Sequence, residues 1–389
     1  EISECLVGSE MCIRDSHTGA ELTMSHTISV IIPVYRATLQ TLHDCVNSLQ
    51  RQQGSGFRIE AVIVFDGEPA FETAPISNWN SPLVSIRTET IAHAGVSAAR
   101  NAGLRAATGQ WAMFLDVDDV LAKHAVDGML AFAVRYRCDV VMGAYRNVLA
   151  GADADANGVP DAAGAVIMGG KGEGSPSVEE HHYAETDMVF EGRRRLDLCE
   201  DMLRPQRGIA LVWGKLYSMP LIKGIDGFNE TLSLGEDAEY AFRAVAAANR
   251  IGYVDEMVYE YRRNADSAVR SFSNDYVRRT ISAIETMRDT IRQFREISDG
   301  TLDDYTLFHL TIIMINDLFN PEAPWNRHER KNHYGKVVNM PVFRQPLDRY
   351  RGGRFPVTRQ IALLSMKYRW YYVSAAIAWV RHKQFSGKQ

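Results

Sequence analysis

The stretch TISVIIPVYR, residues 27–36, begins as a β-branched run, is closed by Pro33 and ends on the polar pair Tyr35-Arg36. It reads as a buried strand with a polar terminus. Outward from it, a helix is expected over Leu39–Gln52, with Leu39, Leu42, Val46 and Leu49 on one stripe and Gly54 ending it. Ile59–Phe65 is a second buried strand and runs into the turn pair Asp66-Gly67. Val84–Thr88 is a third strand. Val96–Ala107 is a small-residue helix stopping before Gly109, and Trp111–Leu115 is a fourth strand that delivers Asp116-Val117-Asp118-Asp119 at its C-terminal end. Val126–Tyr136 is helical and Asp139–Tyr145 is another strand. Strands alternating with helices imply an α/β layer with a largely parallel sheet. Ligands of such sheets bind beyond the C-terminal strand ends. Tyr35, Asp66 and the aspartate cluster all fall there and are expected to share one crevice.

The rest of the chain is less regular. Gly151–Gly174 shifts to Gly, Ala and Asp, as a surface loop or a partly disordered insertion does. A helix follows at Arg193–Met202, then the apolar segment Ile209–Tyr217, a helix from Glu236 to Ala248, and strand-like Ile251–Val254 and Met257–Tyr261. Tyr276–Ile297, Leu302–Phe319 and Gln360–Arg381 read as helices.

The 389 residues are 46% hydrophobic and 23% charged, which excludes wholesale disorder and a collagen-like chain. Five scattered cysteines with no C-x-x-C pair argue against a disulfide scaffold and a structural zinc site, and favour a reduced, intracellular protein. The net charge of −5 is uneven. Val342–Gln389 holds ten Lys/Arg against Asp348 alone, a net of +9, so the remainder carries −14. An acidic body disfavours nucleic acid as a partner, and a basic tail suits an anionic surface, phospholipid first. Glu1 to Ser16 has neither the basic nor the apolar region of a signal peptide. That run resembles adaptor sequence translated in error, so residues 1–23 are expected to be a non-native leader, with Met24 as the start.

Several simple templates fail. No G-x-G-x-x-G follows the first strand, no Walker A pattern surrounds Gly214-Lys215, and neither H-E-x-x-H nor G-x-S-x-G occurs. Adjacent His181 and His182 read as loop residues. Other patterns hold. On an extended segment Asp116 and Asp118 face together while Asp119 turns away, which suits Mg²⁺ or Mn²⁺ bridging to phosphates; helix-capping acids are the alternative. Ser233 to Glu236 fits a capping box with Ser233 as N-cap. Asp237 then stands in the first turn, where the helix dipole favours the ionised carboxylate and makes it a candidate base. Arg262, in Tyr261-Arg262-Arg263, could clamp a diphosphate; a solvated strand end is the alternative.

In order and spacing, these pieces resemble the family 2 inverting glycosyltransferases of the GT-A fold, of bacterial cell-envelope or exopolysaccharide type. The match is carried by VIIPVYR (Val30–Arg36), VFDG (Val64–Gly67), GVSAARNAGLRAATG (Gly95–Gly109), FLDVDD (Phe114–Asp119), VWGKLY (Val212–Tyr217), GEDAEYAFR (Gly235–Arg243) and YEYRRNADS (Tyr259–Ser267). The resemblance implies transfer of a sugar from a nucleoside diphosphate, most readily a UDP-sugar, to an acceptor hydroxyl with inversion. It implies that Pro33, Val34, Tyr35 and Asp66 line the nucleoside pocket, Asp66 reaching the base, with Arg100 supporting it. Asp116 would contact the ribose and Asp118 a divalent metal on the diphosphate. Asp237 would be the general base, oriented by Glu236. Trp213 and Lys215 would lie near the acceptor or the diphosphate, and Arg262 near the phosphates. Phe65 stands where the family often has an acidic residue.

The expected organisation is a nucleotide-sugar-binding half at 24–150, an acceptor half at 151–270, and a helical region at 271–389 with a basic tail. Ile361–Val380 approaches membrane length, but Lys367 and Arg369 near its middle disfavour spanning. Its aromatic and basic residues suit a helix lying in a membrane surface; a helix packed on the body is the alternative. A lipid-linked saccharide acceptor and a cytoplasmic, peripherally membrane-bound enzyme fit the former. A nucleotidyltransferase, or a transferase-like scaffold without catalysis, are the competing functions.

Overall fold

Strand β1 (His26–Val34) is buried from Ile28 onward, as its uninterrupted β-branched run requires. This computed structural model describes residues 25–149, 179–204, 208–263, 272–294, 299–353 and 355–386. The expected leader, 1–23, and the Gly/Ala/Asp-rich stretch, 151–174, lie outside the described residues. Parallel to β1 run β2 (Phe57–Asp66) on one side and β4 (Trp111–Phe114) on the other, with β3 (Val84–Ile91) beyond β2. Helix α1 (Leu39–Gln50) links β1 to β2, capped by the Thr38 hydroxyl, which accepts from the Thr41 amide at 3.1 Å. Helix α2 (Val96–Ala106) links β3 to β4. The chain thus winds outward from β1 to β3 and returns to β1's other side. The switch point between β1 and β4 is where such sheets open a ligand crevice.

Two small residues make this packing possible. A Cβ on Gly103 of α2 would sit 2.4 Å from Ile31 Cγ2. One on Gly109 would meet the Thr27 carbonyl oxygen at 2.6 Å. The GVSAARNAGLRAATG run is therefore small because α2 and its exit lie directly on β1.

After β5 (Val120–Leu121) and α3 (Ala125–Tyr136), strand β6 (Val140–Leu149) joins the sheet, followed by β7 (Glu179–His181), β8 (Met188–Phe190) and α4 (Arg193–Met202). Strand β9 (Lys215–Ser218) runs antiparallel between β4 and β6. It is followed by α5 (Met219–Lys223), α6 (Glu236–Ala247) and β10 (Ile251–Arg263). The order is β3-β2-β1-β4-β9-β6-β10-β5, with β7 on β6 and β8 on β10. β10 is one strand where the sequence suggests two; shifts of register between Val254 and Tyr259 explain the break in its pattern. The sheet is mixed, but its long pairings, β1 with β2, β2 with β3 and β6 with β10, are parallel.

The C-terminal region consists of α7 (Tyr276–Gln293), α8 (Asp299–Ile313), a π-helical turn (Met314–Leu318), α9 (Arg327–Val338), α10 (Pro341–Arg349), α11 (Val357–Lys367) and α12 (Tyr371–Ser386). The single helix expected over Gln360–Arg381 is broken. Arg369 adopts a left-handed φ of 57°, its guanidinium donates to Asn339 Oδ1 at 3.0 and 2.6 Å, and Trp370 N–H donates to the Ser365 carbonyl at 2.7 Å. No Gly or Pro marks this corner, so tertiary contacts set it. Among the described residues no helix is long and apolar enough to cross a membrane.

Candidate active site

Arg100, on α2, organises the crevice. It is 2% exposed, donates through Nη2 to Asp116 Oδ1 at 2.9 Å and through Nη1 to Asp237 Oδ1, and stands 3.8 Å from Glu236 Oε1. Its guanidinium also lies over the Phe228 ring, 5.4 Å from the centroid. Burial alone would weaken its hold on the proton, but the three acids outweigh that and raise its pKa above the ordinary value. Arg100 therefore joins the turn after β4 to the start of α6. The sequence reading gave it only a supporting part; its place in an otherwise small-residue helix was the available signal.

Helix α6 does not begin as the capping box proposes. Gly235, at φ 78°, is the N-cap, and no side chain caps the helix. The Ser233 hydroxyl instead accepts from Arg279 Nε at 2.9 Å. Glu236 and Asp237 are the first two helical residues, two positions nearer the helix start than a capping box places them. Asp237 remains 22% exposed and uses only Oδ1 in its bond to Arg100. Its pKa rises to about 7, because burial, Glu236 and Asp116 together outweigh Arg100. The dipole-favoured ionisation expected from sequence is thus overcome by desolvation and like charge. A carboxylate titrating near neutrality is matched to taking a proton.

The aspartates form a tight turn rather than an extended end: Asp119 N–H donates to the Asp116 carbonyl at 3.0 Å. Asp116 faces Arg100, Asp118 is exposed, and Asp119 is buried. Asp119 accepts from the Tyr259 hydroxyl at 2.6 Å and from the Arg262 amide at 2.8 Å. These two bonds fasten the end of β10 to the turn and bring Arg262 beside it. Neither Asp119 nor Tyr259 was expected to take part. Mg²⁺ or Mn²⁺ needs only one or two carboxylates when phosphate oxygens and water complete its shell. Asp118, exposed on the turn, supplies one such carboxylate, while Asp116 is engaged by Arg100; no group of three His, Cys, Asp or Glu side chains forms a metal site among the described residues.

At the ends of β1 and β2, Asp66 is 4% exposed and its carboxylate accepts from Ala94 N–H at 2.7 Å and Gly95 N–H at 3.0 Å, and lies 2.8 Å from His93 Nδ1. Asp66 thus ties down the loop before α2. His93, which sequence reading missed, stacks on Tyr35 with centroids 4.4 Å apart. Tyr35 is 46% exposed, whereas Pro33 and Val34 are buried in β1. Trp213 is packed between strands, stacked on Tyr259 at 4.3 Å and edge-on to Tyr145 at 4.9 Å. Lys215 is 3% exposed and donates to the Leu211 carbonyl. Burial lowers its pKa to about 7, against the opposing pull of Asp237.

At the C-terminal ends of β1, β2 and β4 the chain thus presents an aspartate turn and a stacked ring pair, and Arg100 joins that turn to the near-neutral carboxylate at the start of α6; such strand ends are where α/β sheets bind ligands. Residues 29–157 match the Glycosyl transferase family 2 model, so the chain carries a glycosyltransferase domain of that family. Putative glycosyltransferase EpsH of Bacillus subtilis is 24% identical over 349 residues, covering 88% of this chain and 92% of EpsH. Uncharacterized glycosyltransferase EpsJ of the same organism is 27% identical over 246 residues, 62% of each chain. TarS of Staphylococcus aureus, named a poly(ribitol-phosphate) β-N-acetylglucosaminyltransferase, is 23% identical over 235 residues, 60% of this chain and 35% of TarS. The crystal structure of TarS 1–349 with UDP-GlcNAc superposes with a TM-score of 0.60 at 19% identity, covering 93% of this chain and 92% of that one. That likeness establishes the GT-A fold.

Proposed function

We propose that this protein moves a sugar from a nucleoside-diphosphate donor, a UDP-sugar by analogy with TarS, to an acceptor hydroxyl in a saccharide or lipid-linked saccharide, with inversion. The observation that carries this reading is Asp237: a carboxylate with a pKa of about 7, held by buried Arg100 at the first turn of α6. Arg100 occupies Oδ1, and Oδ2 is the atom we assign to the acceptor proton. As the acceptor oxygen bonds to the anomeric carbon, its proton passes to Asp237 and the bond to the diphosphate breaks on the opposite face. One base suffices for such a displacement, and the sugar is oxocarbenium-like in between. Glu236 orients the acceptor or Asp237.

Tyr35 and His93 offer a flat face for the base, next to Pro33 and Val34, with Asp66 fixing His93. Asp116 serves the ribose. Asp118 would hold a divalent cation, which when bound neutralises charge developing on the leaving diphosphate. Arg262 supports the same charge from β10, and Trp213 and Lys215 support the acceptor side. Residues 24–150 serve as the nucleotide-sugar half and 151–270 as the acceptor half. A glycan of the cell envelope is the product class that the named relatives suggest, and we assign the reaction to the cytoplasm, at the inner face of the cell membrane.

Calorimetric titration of UDP, GDP and CDP, each with and without Mn²⁺, tests the donor site. Binding of one nucleotide that depends on metal supports the reading. Binding of none points to a non-catalytic, transferase-like scaffold.

A further inference from the structure

The outward face of α12 is built the wrong way round for a helix facing water. Tyr371, Ser374 and Ala378 are buried against the body, which is the ordinary inner stripe at three- and four-residue spacing. The opposite face carries Tyr372, Val373, Ala376, Trp379 and Val380, all exposed, with Lys383 at its end. Trp379 is 59% and Tyr372 60% exposed. At the preceding corner Tyr368 and Trp370 stack at 5.3 Å, each more than half exposed. Isolated exposed apolar residues need no explanation. Here they are concentrated: of eleven large exposed apolar side chains among the described residues, eight lie between Val357 and Val380.

Cations frame this face. Arg327 and Lys331 of α9 lie over the Tyr372 ring at 5.6 and 5.8 Å, and Lys383 over the Trp379 ring at 4.5 Å. The whole segment from Val342 onward carries a net charge of +9 on a body of −14. The break at Arg369 means that no continuous helix exists to insert. Helix α12 is about 24 Å long at 1.5 Å per residue, too short to span, but its length suits lying flat.

We propose that the exposed face of α12, with the Tyr368–Trp370 corner, docks on an anionic phospholipid surface. Trp370, Tyr372 and Trp379 sit at the headgroup boundary, and Arg327, Lys331 and Lys383 face the lipid phosphates. Interfacial aromatics flanked by cations favour that location, and each cation near an anionic leaflet adds about 1 kcal/mol or less. This docking stands apart from the transferase reading, since it needs neither donor nor acceptor.

The test is co-sedimentation of the full chain with vesicles of phosphatidylcholine alone, and with vesicles about one-third phosphatidylglycerol, at low and high salt. The expected result is binding to the anionic vesicles only, weakened by salt. Trp370→Ser/Trp379→Ser should reduce it about tenfold or more, with an unchanged melting temperature because both side chains are already exposed. Arg327→Glu/Lys331→Glu should reduce it while leaving the aromatics in place. No vesicle binding, or binding unaffected by both variants, overturns the proposal. So does sedimentation velocity showing a dimer that the tryptophan variant dissolves, which would make the face a contact between two copies of the chain.

Discussion

Replacing Asp237 by Asn tests the electrostatics of the crevice without reference to any substrate. In the native protein the Asp237 pKa is raised from 3.8 to about 7. Between those values the folded chain holds a proton that the unfolded chain has lost. Stability from this group therefore falls as pH rises from about 4 to about 7 and is level above that. At about 1.4 kcal/mol per pH unit, the window corresponds to an upper bound of about 4 kcal/mol. The side chain is 22% exposed and Arg100 is shared with Asp116, so we expect about half of that, roughly 2 kcal/mol. Asn cannot ionise, and the variant should lack this pH-dependent loss. Losing the charged bond to Arg100 adds an offset, but an offset does not change the slope. The assay is urea unfolding of both proteins at intervals from pH 4 to 8, compared as the difference in stability. That difference should move in favour of Asp237→Asn by about 2 kcal/mol across the window. Parallel curves, or a difference moving the other way, would refute the account of why this carboxylate is poised near neutrality.

As the proposed base, Asp237 sets the acid limb expected for transfer. Transfer should fall about tenfold per pH unit below about pH 7 and level off above it, as initial rates across buffers would reveal; a limb centred near pH 4 would contradict the raised pKa. Arg100→Met should destabilise the protein by about 3 kcal/mol at neutral pH, since Asp116 and Asp237 lose their cation, and denaturation midpoints measure this. Gly109→Ala should cost about 2 kcal/mol, because the new Cβ meets the Thr27 carbonyl oxygen at 2.6 Å and β1 cannot yield. Thermal melts comparing it with Gly335→Ala, where a new Cβ meets nothing within 4 Å, control for the loss of a glycine.

The half of the fold from β1 to β6 was legible because its signals are local. Continuous β-branched runs, the small residues of α2 and polar strand ends each follow from burial on both faces of a parallel sheet. The C-terminal half was less legible. α9 and α10 were not foreseen, and the corner at Arg369 depends on Asn339, thirty residues away. In the site, the carboxylates were visible as residue types, but their environment was not. The N-cap at Gly235 needs a φ of 78°, which glycine allows and Ser233 does not advertise. The Asp116–Asp119 turn replaced the extended geometry from which a shared facing was inferred, and Asp119 found partners on β10. His93 was unremarkable in sequence because its importance comes from stacking on Tyr35, contributed by a different strand end.

The most direct measurement follows turnover of a UDP-sugar by proton NMR, with the full chain, Mn²⁺ and water or a saccharide as acceptor, and reads the anomeric configuration of the first product. The account predicts an inverted anomer and release of UDP, with turnover abolished in Asp237→Asn while UDP still binds. A retained anomer, or unchanged turnover in Asp237→Asn, would contradict it.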